Sequence, residues 1–217
     1  MIQTDSPDLD ALIKGYRDFR EKGWAPYRKR WAELRQGQNP QVMVIACSDS
    51  RVDPAQIFDV DPGQIFVVRN VAALVPPFET TPGQHGVSAA LEFAVQVLKV
   101  KEIVVMGHGM CGGCEAALSR SMEGTEPGNG GFIAQWIKLL DGARDKVTEQ
   151  QGTEGKEARR AMEMEAVKVS LENLRTFPCV QAKEGRGDLS LRGAYFAISD
   201  GLLHLLDDES GKFSAIT

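Results

Sequence analysis

The chain has 217 residues, 42% of them hydrophobic, and its 25 Lys+Arg against 30 Asp+Glu leave a formal charge of −5. That length suits one large α/β domain with a sizeable core, and the charge gives no strong positive field for a nucleic-acid partner. No apolar run approaches the roughly 18 residues of a membrane span, and the opening MIQTDSPDLD has neither a basic n-region nor an apolar h-region, so the expectation is a cytoplasmic protein.

From Leu9 to Leu34, Leu12, Tyr16, Phe19, Trp24, Tyr27 and Trp31 recur at mostly helical spacing, interrupted by Gly23 and Pro26, which predicts two helices with a bend. Val42–Ala46 follows Asn39-Pro40, and Ile65–Val68 follows Asp61-Pro-Gly63; both are short apolar runs that predict buried strands. Leu91, Ala94, Val95 and Leu98 share one face of a helix expected from about Gln84 to Lys99, and Glu102–Gly107 predicts a third strand. A short helix after Gly113 and a longer one from Phe132 flank a Gly-rich loop, 123–131. A further helix, Lys156–Leu174, ends before Pro178. Leu189–Ile198 and Leu202–Leu206 are strand candidates, the first being the fourth core strand. Apolar strands alternating with helices predict an α/β fold with a central, mostly parallel sheet of four core strands flanked by helices. The expected organisation is a helical arm, 1–36, and a single α/β domain, 37–217.

Two segments at expected strand ends carry metal-ligating residue types: Cys47-Ser-Asp-Ser-Arg51 and His108-Gly-Met-Cys-Gly-Gly-Cys114. Groups at the carboxyl ends of parallel strands border the ligand crevice, so these distant segments can converge. Cys47, His108 and Cys111 would then form a Cys2His set with a free fourth position, the pattern of catalytic zinc. Spacing alone leaves a closed structural site open, with Cys114 as the fourth ligand. It also leaves open a Cys111/Cys114 redox pair in a protein without turnover. Cys179 reads as an inert small hydrophobe. Asp49, two residues from Cys47, could face the metal, with Arg51 holding it through a bidentate pair. His85 is a candidate proton relay, and His204 reads as structural.

These segments resemble the two signatures of the β-carbonic anhydrases, with Pro62-Gly63, Phe66-Val-Val-Arg-Asn70 and Val75-Pro-Pro-Phe78 matching between them. The likeness runs from about Gln38 to Leu118 and more weakly to the C-terminus. It implies one zinc per subunit on Cys47, His108 and Cys111, an Asp49–Arg51 catalytic dyad, and reversible hydration of carbon dioxide to bicarbonate. It also implies a homodimer or tetramer, with the N-terminal helices packed on a neighbour. Gln38 (from the adjoining subunit), Phe66, Val71, Phe93 and Gly112 would form the substrate pocket. Phe93 stands where the plant-like branch of the family usually has Tyr, and Val44 where a bicarbonate-regulated bacterial branch has Trp. Hydrolysis of carbonyl sulfide or carbon disulfide, also linear and attacked at carbon, is the alternative on the same scaffold.

Overall fold

The computed structural model describes residues 7–216, and the chain divides into two compact units, one ending at Gln38 and the other beginning at Asn39. In the first, α1 (Leu9–Asp18) is capped by Asp8, whose carboxylate accepts from the Ala11 N–H at 2.8 Å. The expected bend is present, and of its two interruptions Pro26 rather than Gly23 makes the break. The helix continues through that glycine as a wide π turn, Phe19–Trp24, and breaks at 25–27 before α2 (Arg28–Leu34), because Pro26 has no N–H to continue it. The Phe19 ring meets Trp31 edge-on at 6.1 Å, and the guanidinium groups of Arg20 and Arg28 flank Trp24. No residue of α1 is buried.

In the second unit, β1 (Val42–Cys47), β2 (Ile65–Asn70), β3 (Glu102–His108), β4 (Ser190–Ala197), β5 (Leu202–Asp207) and β6 (Lys212–Ala215) form one sheet in the order β2-β1-β3-β4-β5-β6. The first four strands in that order pair in parallel, and the β4-β5-β6 pairs are antiparallel. The parallel core follows from strands that are apolar on both faces, as every residue of β1 after Val42 is buried. Met43 and Ile45 pack into one layer with Leu91, Val95, Leu171 and Leu174, while Val44 and Ala46 face the other side with Met106 and Ala194. The four expected core strands are therefore all present. Strand β6 was not read from the sequence.

The helices are α3 (Pro54–Ile57), α4 (Gly86–Glu92), α5 (Gly112–Ser119), α6 (Gly131–Ile137), α7 (Asp141–Gln151), α8 (Gly155–Leu174) and α9 (Pro178–Glu184). Two differ from expectation, α3 and α9 have no counterpart in it, and α8 matches it. The helix expected over 84–99 starts at Gly86 and widens into a π turn, Phe93–Leu98, before Lys99 ends it in the left-handed region. The long helix expected from Phe132 is broken into α6 and α7 by a 3-10 turn, Lys138–Leu140. Pro178 stops α8 and also occupies the first turn of α9, where a missing N–H costs nothing.

Strand order places the site. The chain leaves β1 to pair on one side with β2 and returns to the other side as β3, so the carboxyl ends of β1 and β3 form the point where the winding direction reverses, the usual location of a ligand crevice. Cys47 is the last residue of β1 and His108 the last of β3. Below them α8 crosses close to the sheet: a Cβ on Gly107 would lie 2.6 Å from Val167 Cγ2.

Candidate metal centre

Three donor atoms converge at that reversal point. Cys47, His108 and Cys111 are 6%, 2% and 3% exposed, and their ligand atoms all lie within 4.8 Å of one another. Cys111 caps α5, so the helix begins immediately beyond it. The two sulfurs are 3.9 Å apart; at tetrahedral zinc with Zn–S of about 2.3 Å they would be about 3.8 Å apart. Cys114, the fourth ligand a closed site would need, is buried one turn into α5 but is not part of the converging group.

The imidazole is oriented for a metal. Its Nδ1–H donates to the Gly109 carbonyl at 2.9 Å, which leaves Nε2 as a bare lone pair. That Nε2 is buried without a hydrogen-bond partner of acceptable geometry, a condition that buried polar atoms rarely tolerate. The thiols make the same demand. The Cys47 thiol is pushed up to about 12 by its contact with Cys111 and by burial, and Cys111 is pushed up to about 12 by its contact with Cys114 and by burial. A dication supplies the positive charge that lets two such neighbours ionise together. The donor set therefore fits zinc.

Asp49 and Arg51 stand at the edge of this group. The Arg51 Nε and Nη2 donate to Asp49 Oδ1 and Oδ2 at 2.8 and 2.7 Å, and the Arg51 N–H donates to Oδ1 at 3.0 Å. These hydrogen bonds hold the Asp49 carboxyl well below the usual carboxylate range. The same guanidinium donates to the Met110 carbonyl at 2.9 Å, tying the loop after β1 to the loop after β3.

Two residues given no individual role by the sequence reading also shape the site. Arg69 on β2 donates to the carbonyls of Cys47 (2.9 Å) and Asp49 (2.7 Å) and to the Asp53 carboxylate (3.0 Å); its signal was an arginine closing an apolar edge strand. Glu163 on α8 is 4% exposed, accepts from the Cys111 N–H at 3.1 Å and from the Tyr195 hydroxyl at 2.8 Å. Burial lifts its carboxyl above the usual range despite those donors. A charge on the same helical face as Val167, Ser170, Leu171 and Leu174 was the available clue.

The expected pocket residues divide. Val71 follows β2 directly and touches the site's first helix, since a Cβ on Gly113 would lie 2.7 Å from Val71 Cγ1. Trp136 Nε1 donates to the Val71 carbonyl at 2.8 Å. Gly112 opens α5, with open space where a Cβ would point. Phe66 and Phe93 pair with each other at 5.9 Å, but Phe66 sits opposite Met43, whereas Asn70 sits opposite Cys47. Four residues of strand amount to about 13 Å, so within one chain these rings are not brought beside the thiols. Gln38 belongs to the first unit. His85 is held by the Thr81 carbonyl at 2.8 Å and stands 3.6 Å from Glu79; His204 lies opposite Tyr195 in the β4–β5 pair and packs on its ring at 5.9 Å.

The family model described as carbonic anhydrase matches residues 42–203. The chain is 33% identical over 207 residues to beta carbonic anhydrase 3 of Arabidopsis thaliana, covering 94% of this chain and 80% of that one. Its fold superposes on the β-carbonic anhydrase CcaA with a TM-score of 0.88 at 32% identity, covering 96% and 92% of the two chains. A tetrameric β-carbonic anhydrase from Sordaria macrospora gives a TM-score of 0.70 at 27% identity, covering 95% of each chain. With its two signature segments folded into one buried Cys2His group, this chain belongs to the β-carbonic anhydrase family.

Proposed function

We propose that this chain catalyses the reversible hydration of carbon dioxide to bicarbonate and a proton, with one zinc per subunit held by Cys47, His108 and Cys111. The observation that carries the reading is the buried convergence of those three donors with the Asp49–Arg51 pair beside them. Zinc supplies Lewis acidity, making water a competent nucleophile near neutral pH. Cys47 and Cys111 would bind as thiolates and His108 through Nε2.

Asp49 accepts a hydrogen bond from the attacking water at Oδ2, which faces His108 Nε2 at 4.0 Å, and so orients the oxygen lone pair toward the carbon without itself taking the proton. Arg51 keeps that carboxylate ionised and fixed, so that it serves as an acceptor and does not itself bind the metal. Gly112, next to Cys111, has open space where a side chain would stand, and the exposed Val71 gives that niche an apolar wall for a small neutral molecule.

We assign the rest of the pocket, Gln38, Phe66 and Phe93, to a neighbouring copy of the chain. Support comes from the distance of Phe66 from its own thiols and from the exposure of Phe93. The exposed Leu9, Leu12, Ile13 and Tyr16 on α1 give the N-terminal arm an apolar face for such a neighbour. The relative from Sordaria macrospora is tetrameric; here the assembly is a homodimer or tetramer. Four free cysteines fit a reducing cytoplasm, and among the described residues no helix is long and apolar enough to cross a membrane.

The deciding experiment is stopped-flow hydration of carbon dioxide by protein whose zinc content has been measured. Turnover that tracks zinc content supports the assignment; fully loaded protein without turnover, or with turnover of carbonyl sulfide alone, rejects it.

A further inference from the structure

Glu163 has a place in this site that the proposed chemistry does not use. Its carboxylate is buried in the middle of α8, and its two oxygens are engaged by two different elements. Oε1 takes the backbone N–H of Cys111, and Oε2 takes the hydroxyl of Tyr195 on β4. Tyr195 is itself fixed on three sides. Its ring packs edge-on against His204 at 5.9 Å and Phe213 at 6.4 Å, and the Arg160 guanidinium lies over it at 5.5 Å. Its hydroxyl lies directly under the turn after β3, since a Cβ on Gly109 would come within 3.1 Å of it.

That turn has reason to relax. Met110, between the two ligands His108 and Cys111, is held at φ 58, a left-handed conformation that costs a residue with a side chain roughly 1 kcal/mol or more. Beside the backbone bond from the Gly109 N–H to the Phe196 carbonyl at 3.0 Å, two side-chain contacts from outside the turn restrain it: Arg51 on the Met110 carbonyl and Glu163 on the Cys111 N–H. The first comes from a half-exposed side chain, the second from a buried one.

We propose that Glu163, braced by Tyr195, is a positioning residue that holds Cys111 at the metal and thereby sets how tightly this chain retains zinc. The claim rests on the metal assignment above and concerns residues that never touch substrate. Partners behind metal ligands carry about 10- to 100-fold in metal affinity, and a carboxylate that fixes a ligand's own backbone belongs with them.

The test uses the full-length protein loaded with zinc and, separately, with cobalt, in wild type and in the Glu163→Met, Glu163→Gln and Tyr195→Phe variants. Zinc release to a chromogenic chelator and the thiolate-to-cobalt charge-transfer band are the readouts, with the melting temperature of the metal-free protein as control. Glu163→Met is expected to speed zinc release about 10- to 100-fold and to shift the cobalt band. Glu163→Gln, whose amide oxygen still accepts from Cys111 while its NH2 donates to the Tyr195 oxygen, brings both readouts back toward wild type; Tyr195→Phe falls between. Wild-type release rates and an unshifted band in every variant overturn the proposal, even if the metal-free protein melts lower, because the pair would then serve packing only. Should Glu163→Met fail to fold, Tyr195→Phe decides by the same readouts. Wild-type protein that takes up no zinc sinks the metal assignment itself, an outcome distinct from loaded variants that match a loaded wild type.

Discussion

Asp49 Oδ2 stands 4.0 Å from His108 Nε2, too far for a hydrogen bond and near enough for one intervening oxygen to serve both the carboxylate and a metal on that nitrogen. Arg51 holds the carboxylate in place with two side-chain hydrogen bonds and one from its backbone N–H, and Arg69 grips the backbone of the same segment. The acceptor is thus fixed before substrate arrives, which is what proton handling at a reacting water requires.

Replacing Asp49 with Asn keeps the shape but removes the charge and turns one of the two acceptor oxygens into an NH2 donor. We expect kcat for carbon dioxide hydration to fall about 100-fold or more, with zinc content unchanged and a modestly lower melting temperature from the lost Arg51 pair. A variant within about twofold of wild type at full zinc loading would remove Asp49 from the mechanism. Because Arg51 holds Asp49 below the usual carboxylate range, the carboxylate stays ionised across neutral pH and adds no acid limb there. The nucleophilic water remains as the ionising group, and two thiolates offset the charge of the dication, so kcat/KM should climb toward alkaline pH. A flat profile from mildly acid to mildly alkaline pH contradicts this.

Metal loading should release protons. Without a cation the Cys47 and Cys111 thiols lie near 12, so both are protonated at pH 7.5 and both must ionise to bind zinc. About two protons or more per zinc should appear when titration heats are compared in buffers of different ionisation enthalpy, since His108 is also held above its ordinary value, burial lowering it but its contacts with Cys47, Gly109 and Asp49 outweighing that. Heats that do not depend on the buffer would mean that the thiols are not the ligands. The same shifts carry a sign for stability. Folded values above the ordinary thiol value of 9.0 stabilise the metal-free fold below pH 9, and that contribution is lost as pH rises from 9 toward 12.

The parts of this site that were legible in sequence are those whose chemistry is local. Cys47 and His108 could be placed because apolar β-branched runs end on them, and a strand end in a parallel sheet already implies a crevice. Glu163 was not legible, because its partners are 52 and 32 residues away and no local pattern announces them. The division of the pocket was hidden for a related reason. Phe66 and Val71 are near in sequence, but only the β1–β2 register shows that Phe66 lies opposite Met43, well before the sheet's carboxyl edge. The two π turns, Phe19–Trp24 and Phe93–Leu98, were not legible, because widening of the backbone inside a helix leaves no composition signal and the 3.6-residue period no longer tracks the chain.

Glu165 links α7 to α8 by accepting from Lys146 and Lys168, both at 2.7 Å. Burial raises its carboxyl, but the two lysines outweigh that and leave it below its ordinary value. A lowered folded value means that the pair's stabilisation is present above the unfolded carboxylate range and is lost as pH falls through the folded value. Partly exposed pairs of this kind contribute about 0.5–1 kcal/mol. Glu165→Gln should therefore lower the melting temperature at pH 7 but have little effect at pH 3. An equal loss at both values would assign the effect to packing.

The approach of β3 to α8 supplies a test of what holds the metal turn from below. A Cβ at Gly107 would stand 2.6 Å from Val167 Cγ2 and 3.4 Å from the Glu163 carbonyl, and a β-branched side chain in a close-packed interior has no free rotamer to escape into. Gly107→Ala is expected to cost about 1–3 kcal/mol and, because Gly107 immediately precedes His108, to weaken zinc retention as well. Val167→Ala alone removes two buried methyl groups and should cost about 1–2 kcal/mol. Combined, the two changes should cost less than their sum, since the shorter side chain makes room for the new Cβ. Strict additivity in urea unfolding would show that β3 and α8 part without resistance at this point, and the helix would then exert no control over the position of His108.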